Sequence, residues 1–355
     1  MMGQRAMMAA SGLSLIKSIQ EIDITISSGN SSNTGTITAV NVNCTALFFA
    51  GVRTNVLNAS PGGRCDWQNR FELTNSTTIT MHVGRATSGD VVGRVTVVEF
   101  QPWCIKSIQY GTCIAGSGST AMNTAVNSAD MNHTVCLWLG TTTDNVTQNT
   151  TDTLGHVYQV NATQVTTTRS GTTGSITTGF CLLEFQPGIL KSNQQTFVSI
   201  GSGVATGTTT ISSVNLSQAM IMFGGFRSNA FQADLPRLTL TNSTTLTATR
   251  NNTPANTCAL RFNVVEFNIN FIRSIQRGES LKGTSTDPFN VTISSVNRAK
   301  AFSNFLAWST DNGAANVDYT TATQSLTSST NLQFDCNGTS GSVTTTYSWE
   351  VVEFK

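Results

Sequence analysis

The sequence predicts an all-β protein made of four tandem modules, each a small antiparallel β-sandwich or Greek-key-like barrel. Short segments of alternating apolar and polar residues dominate the chain, and Gly, Asn, Asp and Pro separate them. Apolar residues at helical spacing are nearly absent. Two strand-like signatures also recur at a period of roughly 85 residues, which is longer than the repeats of solenoid proteins.

The two signatures define the modules. One is a strand ending, found at 97–100 (VVEF), 182–185 (LLEF), 264–267 (VVEF) and 351–354 (VVEF). The other is a strand beginning, found at 15–20 (LIKSIQ), 104–109 (CIKSIQ), 189–194 (ILKSNQ) and 271–276 (FIRSIQ). The predicted units are an N-terminal arm at 1–14 and modules at 15–103, 104–188, 189–270 and 271–355.

Three further blocks recur between the signatures. A Thr/Ile/Val alternation such as 35–40 (GTITAV) indicates a half-buried strand. Apolar runs at 47–51, 136–140 and 221–225 indicate strands buried on both faces. The segments 73–80 (LTNSTTIT) and 240–247 (LTNSTTLT) match closely, and their Asn-Ser-Thr centre indicates a turn between two strands or a kink in one.

The joints between modules are constant in length. The linkers at 101–104, 186–189 and 268–271 each have four residues, and two of them contain a stiffening proline. We therefore expect consecutive modules to dock with one repeated geometry, as a rod or an arc.

The charges beside the joints recur as well, with a glutamate always seven positions before a basic residue. One hypothesis is an ion pair that clamps each joint, and the alternative is that both groups are independently solvated. Lys17 and Glu353 have no partner at this spacing, and a head-to-tail array would let them meet between subunits. The three pairs are Glu99 with Lys106, Glu184 with Lys191, and Glu266 with Arg273.

Composition excludes several partners. Charged residues are only 11% of the chain, against about 25% in an average globular domain. The net charge of +1 provides no electrostatic footprint for nucleic acid or an acidic membrane surface. No run of about 18 apolar residues is present to span a bilayer. We expect neither nucleic acid nor a membrane as a partner.

The eight cysteines include no Cys-x-x-Cys pair, and the three histidines are scattered, so no metal site is expected. Buried thiols and disulfides are both compatible with this pattern. Cys136 and Cys181 fall in two predicted strands of one module and are the candidate pair.

The search for catalytic motifs gives no phosphate-binding loop, zinc-protease motif or nucleophile elbow. The recurrent glutamate lies at one place in all four modules, which favours a structural role over general acid catalysis. We expect no enzymatic activity and no cofactor.

The junction of a VVEF strand with the segment 272–278 (IRSIQRG) resembles repeated β-modules of virion proteins from tailed bacteriophages. The resemblance implies a non-enzymatic structural component of neck, collar, tail, fibre or capsid-decoration type. Such a protein folds in the host cytoplasm, becomes extracellular in the virion, and contacts copies of itself and other virion proteins.

Two other functions stay open. A receptor-binding fibre or lectin-like adhesin would recognise host surface glycans through loop tips, for which 60–67 and 117–133 are candidates. A polysaccharide depolymerase is the third interpretation, and its assay is the release of reducing ends.

Overall fold

A computed structural model of the protein describes residues 14–55, 67–144, 153–228, 235–253, 256–283, 287–311, 320–338 and 344–355. Apart from Ser14, the expected N-terminal arm lies outside the described residues. The candidate loop tip at 60–67 does too, apart from Trp67. The second candidate tip, 117–133, contains a short strand.

The described residues form four sets of six strands in the same order. The first module contains β1 (Ile16–Ile26), β2 (Ser32–Thr36), β3 (Thr45–Thr54), β4 (Asn69–Asn75), β5 (Thr78–Val83) and β6 (Val91–Phe100). The second contains β7 (Ile105–Ala115), β8 (Ala121–Ala125), β9 (Thr134–Thr143), β10 (Gly155–Asn161), β11 (Gln164–Arg169) and β12 (Ile176–Phe185). The third contains β13 (Leu190–Ile200), β14 (Thr206–Thr210), β15 (Ala219–Ser228), β16 (Arg237–Asn242), β17 (Thr245–Thr249) and β18 (Cys258–Phe267). The fourth contains β19 (Ile272–Lys282), β20 (Phe289–Thr292), β21 (Ala301–Thr310), β22 (Thr323–Ser328), β23 (Asn331–Asp335) and β24 (Thr345–Phe354).

Each module consists of a long and a short three-stranded antiparallel layer. In the first module the long layer has the order β1-β6-β3 and the short layer has the order β2-β5-β4. The two signatures pair within the long layer, where Ile16 lies opposite Phe100 and Ile26 lies opposite Val91. The apolar run forms the inner strand of that layer and is buried on both faces, as predicted.

The Asn-Ser-Thr segments are turns. Asn75 accepts a hydrogen bond from the backbone N–H of Thr77 at 2.9 Å, between β4 and β5. Asn242 does the same for Thr244 at 2.9 Å, between β16 and β17. The side chain thus replaces a backbone acceptor and fixes the tight connection.

The modules are not four tandem sandwiches, and this part of the predicted fold class is wrong. The all-β, antiparallel character is confirmed, but the short layer of one module continues into the long layer of the next. Strand β4 pairs with β9, β10 pairs with β15, and β22 of the last module pairs with β3 of the first. The expected rod or arc is therefore a closed, propeller-like ring. The physical reason is that the unpaired edges of three short layers find their backbone partners in a neighbouring module.

Each contact between a short layer and the next long layer is called a seam here. At three seams the approach of the backbones depends on a glycine with positive φ. A Cβ added to Gly51 would lie 2.1 Å from the carbonyl oxygen of Ala322, and one added to Gly140 would lie 2.0 Å from that of Asn69. Glycine adopts a positive φ without steric cost and leaves room for the neighbouring strand.

The fourth seam, between β16 and β21, has Ala307 at the equivalent position, with φ of 65°. No backbone pair joins these two strands within the described residues. The alanine methyl group keeps the strands from the close approach that the glycines permit. The described residues therefore form five antiparallel sheets: three six-stranded sheets that span seams and two three-stranded ones.

Four aromatic rings meet at the centre of the ring, one from the inner strand of each module. Phe49 lies 4.7 Å from Trp138 and 5.3 Å from Phe305, measured between ring centroids. Phe223 completes the cycle at 5.7 Å from Trp138 and 5.8 Å from Phe305. Such pairs contribute about 0.5–1.5 kcal/mol each beyond the area they bury. All four modules thus share one core.

Candidate functional site

The glutamate of the strand-ending signature is the centre of a hydrogen-bond cluster in every module, which we call the glutamate site. In the second module Glu184 accepts hydrogen bonds from Lys106 at 2.7 Å, from Ser107 at 2.7 Å and from the backbone N–H of Asp130 at 2.9 Å. The corresponding partners are Lys17, Ser18 and Asn41 for Glu99; Lys191, Ser192 and Asn215 for Glu266; and Arg273, Ser274 and Asn297 for Glu353.

The hypothesis that Glu99–Lys106, Glu184–Lys191 and Glu266–Arg273 clamp the joints is wrong. Each glutamate instead bonds the basic residue at the start of its own module. The antiparallel pairing of the first and last strands causes this, because it places Ser18 opposite Glu99 across the sheet. Lys17 and Glu353 therefore have partners inside the chain, at 2.8 Å from Glu99 and 3.7 Å from Arg273.

The glutamate carboxylates are almost fully buried, whereas the Lys106 side chain is 51% exposed. Burial raises the pKa of Glu184, but the Lys106 ammonium, the Asp130 amide and the Ser107 hydroxyl outweigh it and hold the pKa below its ordinary value. The pKa of Glu99 is lowered for the same reasons. Both carboxylates are thus charged acceptors that fix two strands and a connecting segment.

The glutamine of the strand-beginning signature is also a structural residue. Gln20 donates to the carbonyl of Thr38 at 3.0 Å and accepts from the N–H of Thr38 at 2.7 Å. The same pair of bonds joins Gln109 to Asn127. The amide imitates one rung of a β-ladder along the outer strand. Every polar position of the signature therefore serves the fold.

The residue that follows this glutamine differs in each module and lies at a seam. In the third module Gln195 accepts from the N–H of Gln159 at 3.0 Å and donates to the carbonyl of Gln159 at 2.7 Å. In the second module Tyr110 donates to the carbonyl of Thr45 at 2.7 Å. Sequence reasoning missed this position, although its variation directly after an invariant signature was a visible signal.

The fourth module has Arg277 at this position, at the seam where β16 and β21 form no backbone pair among the described residues. Arg277 contacts Glu350 at 2.6 Å and donates to the carbonyl of Ala219 in the preceding module. Glu350, which is fully buried, also accepts from the N–H of Ile221 at 3.1 Å. Burial raises the pKa of Glu350 despite the opposing effect of Arg277. Side chains thus replace the missing backbone contact.

The first module has Glu21 at this position. Glu21 faces the fourth module across the seam between β22 and β3, which closes the ring and is called the closing seam here. Its carboxylate accepts one hydrogen bond from the N–H of Leu326, at 3.5 Å. A carboxylate cannot donate to the Leu326 carbonyl as an amide would. Burial raises the pKa of Glu21, against the opposing effects of Arg94, the Leu326 amide and Arg298, while Asp23 adds to the increase.

We predict that Glu21→Gln raises the free energy of unfolding at pH 7 by about 1 kcal/mol. The amide would form the two bonds that Gln195 forms. A carboxyl whose pKa is raised in the folded state destabilises that state as the pH rises. The destabilisation develops between the unfolded pKa and the folded pKa. The gain should therefore shrink as the pH falls and Glu21 takes up a proton. Urea unfolding at several pH values measures it, and an equal difference at all pH values would contradict the explanation.

Cys136 and Cys181 are both free and buried, so the candidate disulfide between them is not formed. They lie on the paired strands β9 and β12, but Cys136 is opposite Leu182 and Cys181 is opposite Leu137. This offset of one residue places the two sulfur atoms on opposite faces of the sheet.

We predict that neither thiol reacts with iodoacetamide in the folded protein. Burial raises the pKa of Cys181 to about 12 and that of Cys136 well above its ordinary value, so the reactive thiolate is scarce. Both should be alkylated in urea without reductant, as read by peptide mass spectrometry. Alkylation that requires reductant would show that a disulfide is present.

The described residues contain no group of three or more His, Cys, Asp and Glu side chains placed to hold a metal ion. None of the helical segments described is long and apolar enough to cross a membrane. Comparison with known protein families and with curated proteins found no match to this chain.

Proposed function

We propose that the protein is a non-enzymatic structural component of a bacteriophage virion that assembles with copies of itself and with other virion proteins. The observation that carries the proposal is the fourfold recurrence of the glutamate site. The polar side chains that recur in every module bond to one another and hold the strands together. In a repeated catalytic centre, the same side chains would instead face a pocket that could admit a substrate. This role implies folding in the host cytoplasm followed by residence in the extracellular particle.

Copies of the protein would contact one another through the outer surface of the ring. The first and fourth modules already pair with each other, so neither is left with a free end for a head-to-tail contact. Large apolar side chains are exposed on the outer surface: Leu281 on β19 is 64% exposed and Ile114 on β7 is 53% exposed. The two residues hold equivalent positions near the ends of their strands, and both strands lie at the edge of a sheet. Exposed apolar side chains on edge strands favour contact between subunits.

Light scattering with negative-stain imaging of the purified protein tests the assembly. We expect one discrete oligomer, and Leu281→Asp should shift it towards the monomer. Thr25→Asp is the matched control, because Thr25 holds the equivalent exposed position on β1. A wild-type monomer at all concentrations would contradict the assembly. An assay for reducing ends released from bacterial polysaccharide should give none, and release would overturn the non-enzymatic role.

A further inference from the structure

The closing seam contains a cavity of about 570 Å³. Its walls come from β1 and β6 of the first module and from β22 and residues 298–301 of the fourth module. Pockets of about 300–1,000 Å³ are typical of small-molecule sites. The equivalent space between the first and second modules is about 270 Å³, and Tyr110 forms part of its wall.

The cavity is larger because Glu21 leaves it open. At the other seams the equivalent residue crosses to the neighbouring module: Gln195 bonds both backbone groups of Gln159, and Arg277 reaches the Ala219 carbonyl. Glu21 has one long bond of 3.5 Å to the Leu326 N–H. A carboxylate has capacity for several hydrogen bonds, so the half-buried Glu21 can accept donors from a ligand.

The remaining charges define what such a ligand must offer. Arg94 binds Asp23 through two hydrogen bonds of 2.5 and 2.6 Å, so this pair is already satisfied. Arg298 lies at the exposed rim, and the described residues include no ion-pair partner for it. The two carboxylates and two guanidinium groups balance, which favours a ligand without net charge.

We propose that this cavity binds one or two sugar units of a glycan. Sugar hydroxyls can donate to Glu21 and accept from Arg298, which both line the cavity. The side chains of Ile19 and Leu326 line the same cavity and offer an apolar surface to the C–H face of a sugar ring. Phosphorylated ligands are disfavoured by the carboxylates. Calcium is disfavoured as well, because Arg94 already occupies Asp23.

The test is a glycan array followed by saturation-transfer NMR with the disaccharides lactose and chitobiose. We expect binding by the wild-type protein, and Glu21→Gln should weaken it at least tenfold, since a bond to a charged acceptor is lost. Glu21→Gln is informative because it should fold at least as stably as the wild type. Arg298→Gln should weaken binding too.

Glu72→Gln is the matched control. Glu72 lines the equivalent cavity of the next seam and is 49% exposed, so the same chemical change there should leave binding unaltered. No signal on the array and in the NMR experiment would overturn the inference, and so would binding that Glu21→Gln leaves unchanged. The inference does not depend on the proposed assembly, because binding and oligomer size are measured separately.

Discussion

Replacing Gly140 by alanine is expected to lower the free energy of unfolding by about 2–4 kcal/mol. The new Cβ would lie 2.0 Å from the carbonyl oxygen of Asn69, and the backbone has φ of 103°. The β4–β9 pairing would have to separate. Tyr110 also crosses this seam, through a hydrogen bond of 2.7 Å to the Thr45 carbonyl, but that bond does not relieve the clash at Asn69. Urea denaturation followed by tryptophan fluorescence measures the loss.

Gly118→Ala is the matched control. Gly118 has φ of 87°, but a Cβ there would meet no atom within 4 Å. This variant therefore reports the cost of the backbone conformation alone, about 1–2 kcal/mol. The difference between the two variants isolates the contact at the seam. Equal losses would show that the seam tolerates a methyl group, and our explanation of the five sheets would then be wrong.

The second large effect is expected for Glu184→Leu, which should lower the free energy of unfolding by about 2–4 kcal/mol. The substitution leaves the part-buried N–H of Asp130 and the hydroxyl of Ser107 without their acceptor. Lys106→Gln should cost only a small part of this, because the lysine side chain is half exposed. Equilibrium unfolding in urea compares the two variants.

The lowered pKa values of Glu99 and Glu184 also predict a pH dependence. A carboxyl whose pKa is lowered in the folded state contributes stability that is fully present above the unfolded pKa of about 4.3 and is lost as the pH falls through the folded pKa. The wild-type protein should therefore lose stability on acidification below about pH 4.5. Glu184→Gln should show a smaller loss over that range. An unchanged acid dependence would mean that Glu184 is not part of the titration.

Local features of the fold could be predicted from the sequence because they depend on neighbours in the chain. The Asn-Ser-Thr turns need only a side-chain oxygen two residues before an N–H. Likewise, the uninterrupted apolar run of β9 indicates a strand with two buried faces. Variation after the signature glutamine marks the position of Glu21, but the role of Glu21 is decided by the module that faces it.

The wrong predictions concern residues that are distant in sequence. Glu184 lies seven residues before Lys191 yet bonds Lys106, because strand pairing brings the module's two ends together. Cys136 and Cys181 share a sheet, but a register offset of one residue separates their sulfur atoms. Register depends on the summed contacts of two whole strands, which spacing along the chain does not reveal.

The sequence by itself determined an all-β chain with a fourfold strand pattern and a repeated set of structural polar residues. These follow from local periodicity, turn chemistry and repetition. Only the tertiary structure decided that the fourth module returns to the first, that Ala307 divides one sheet in two, and that Glu21 opens a cavity at the closing seam. Each of these depends on the distance between backbones from different modules, and packing in three dimensions sets that distance.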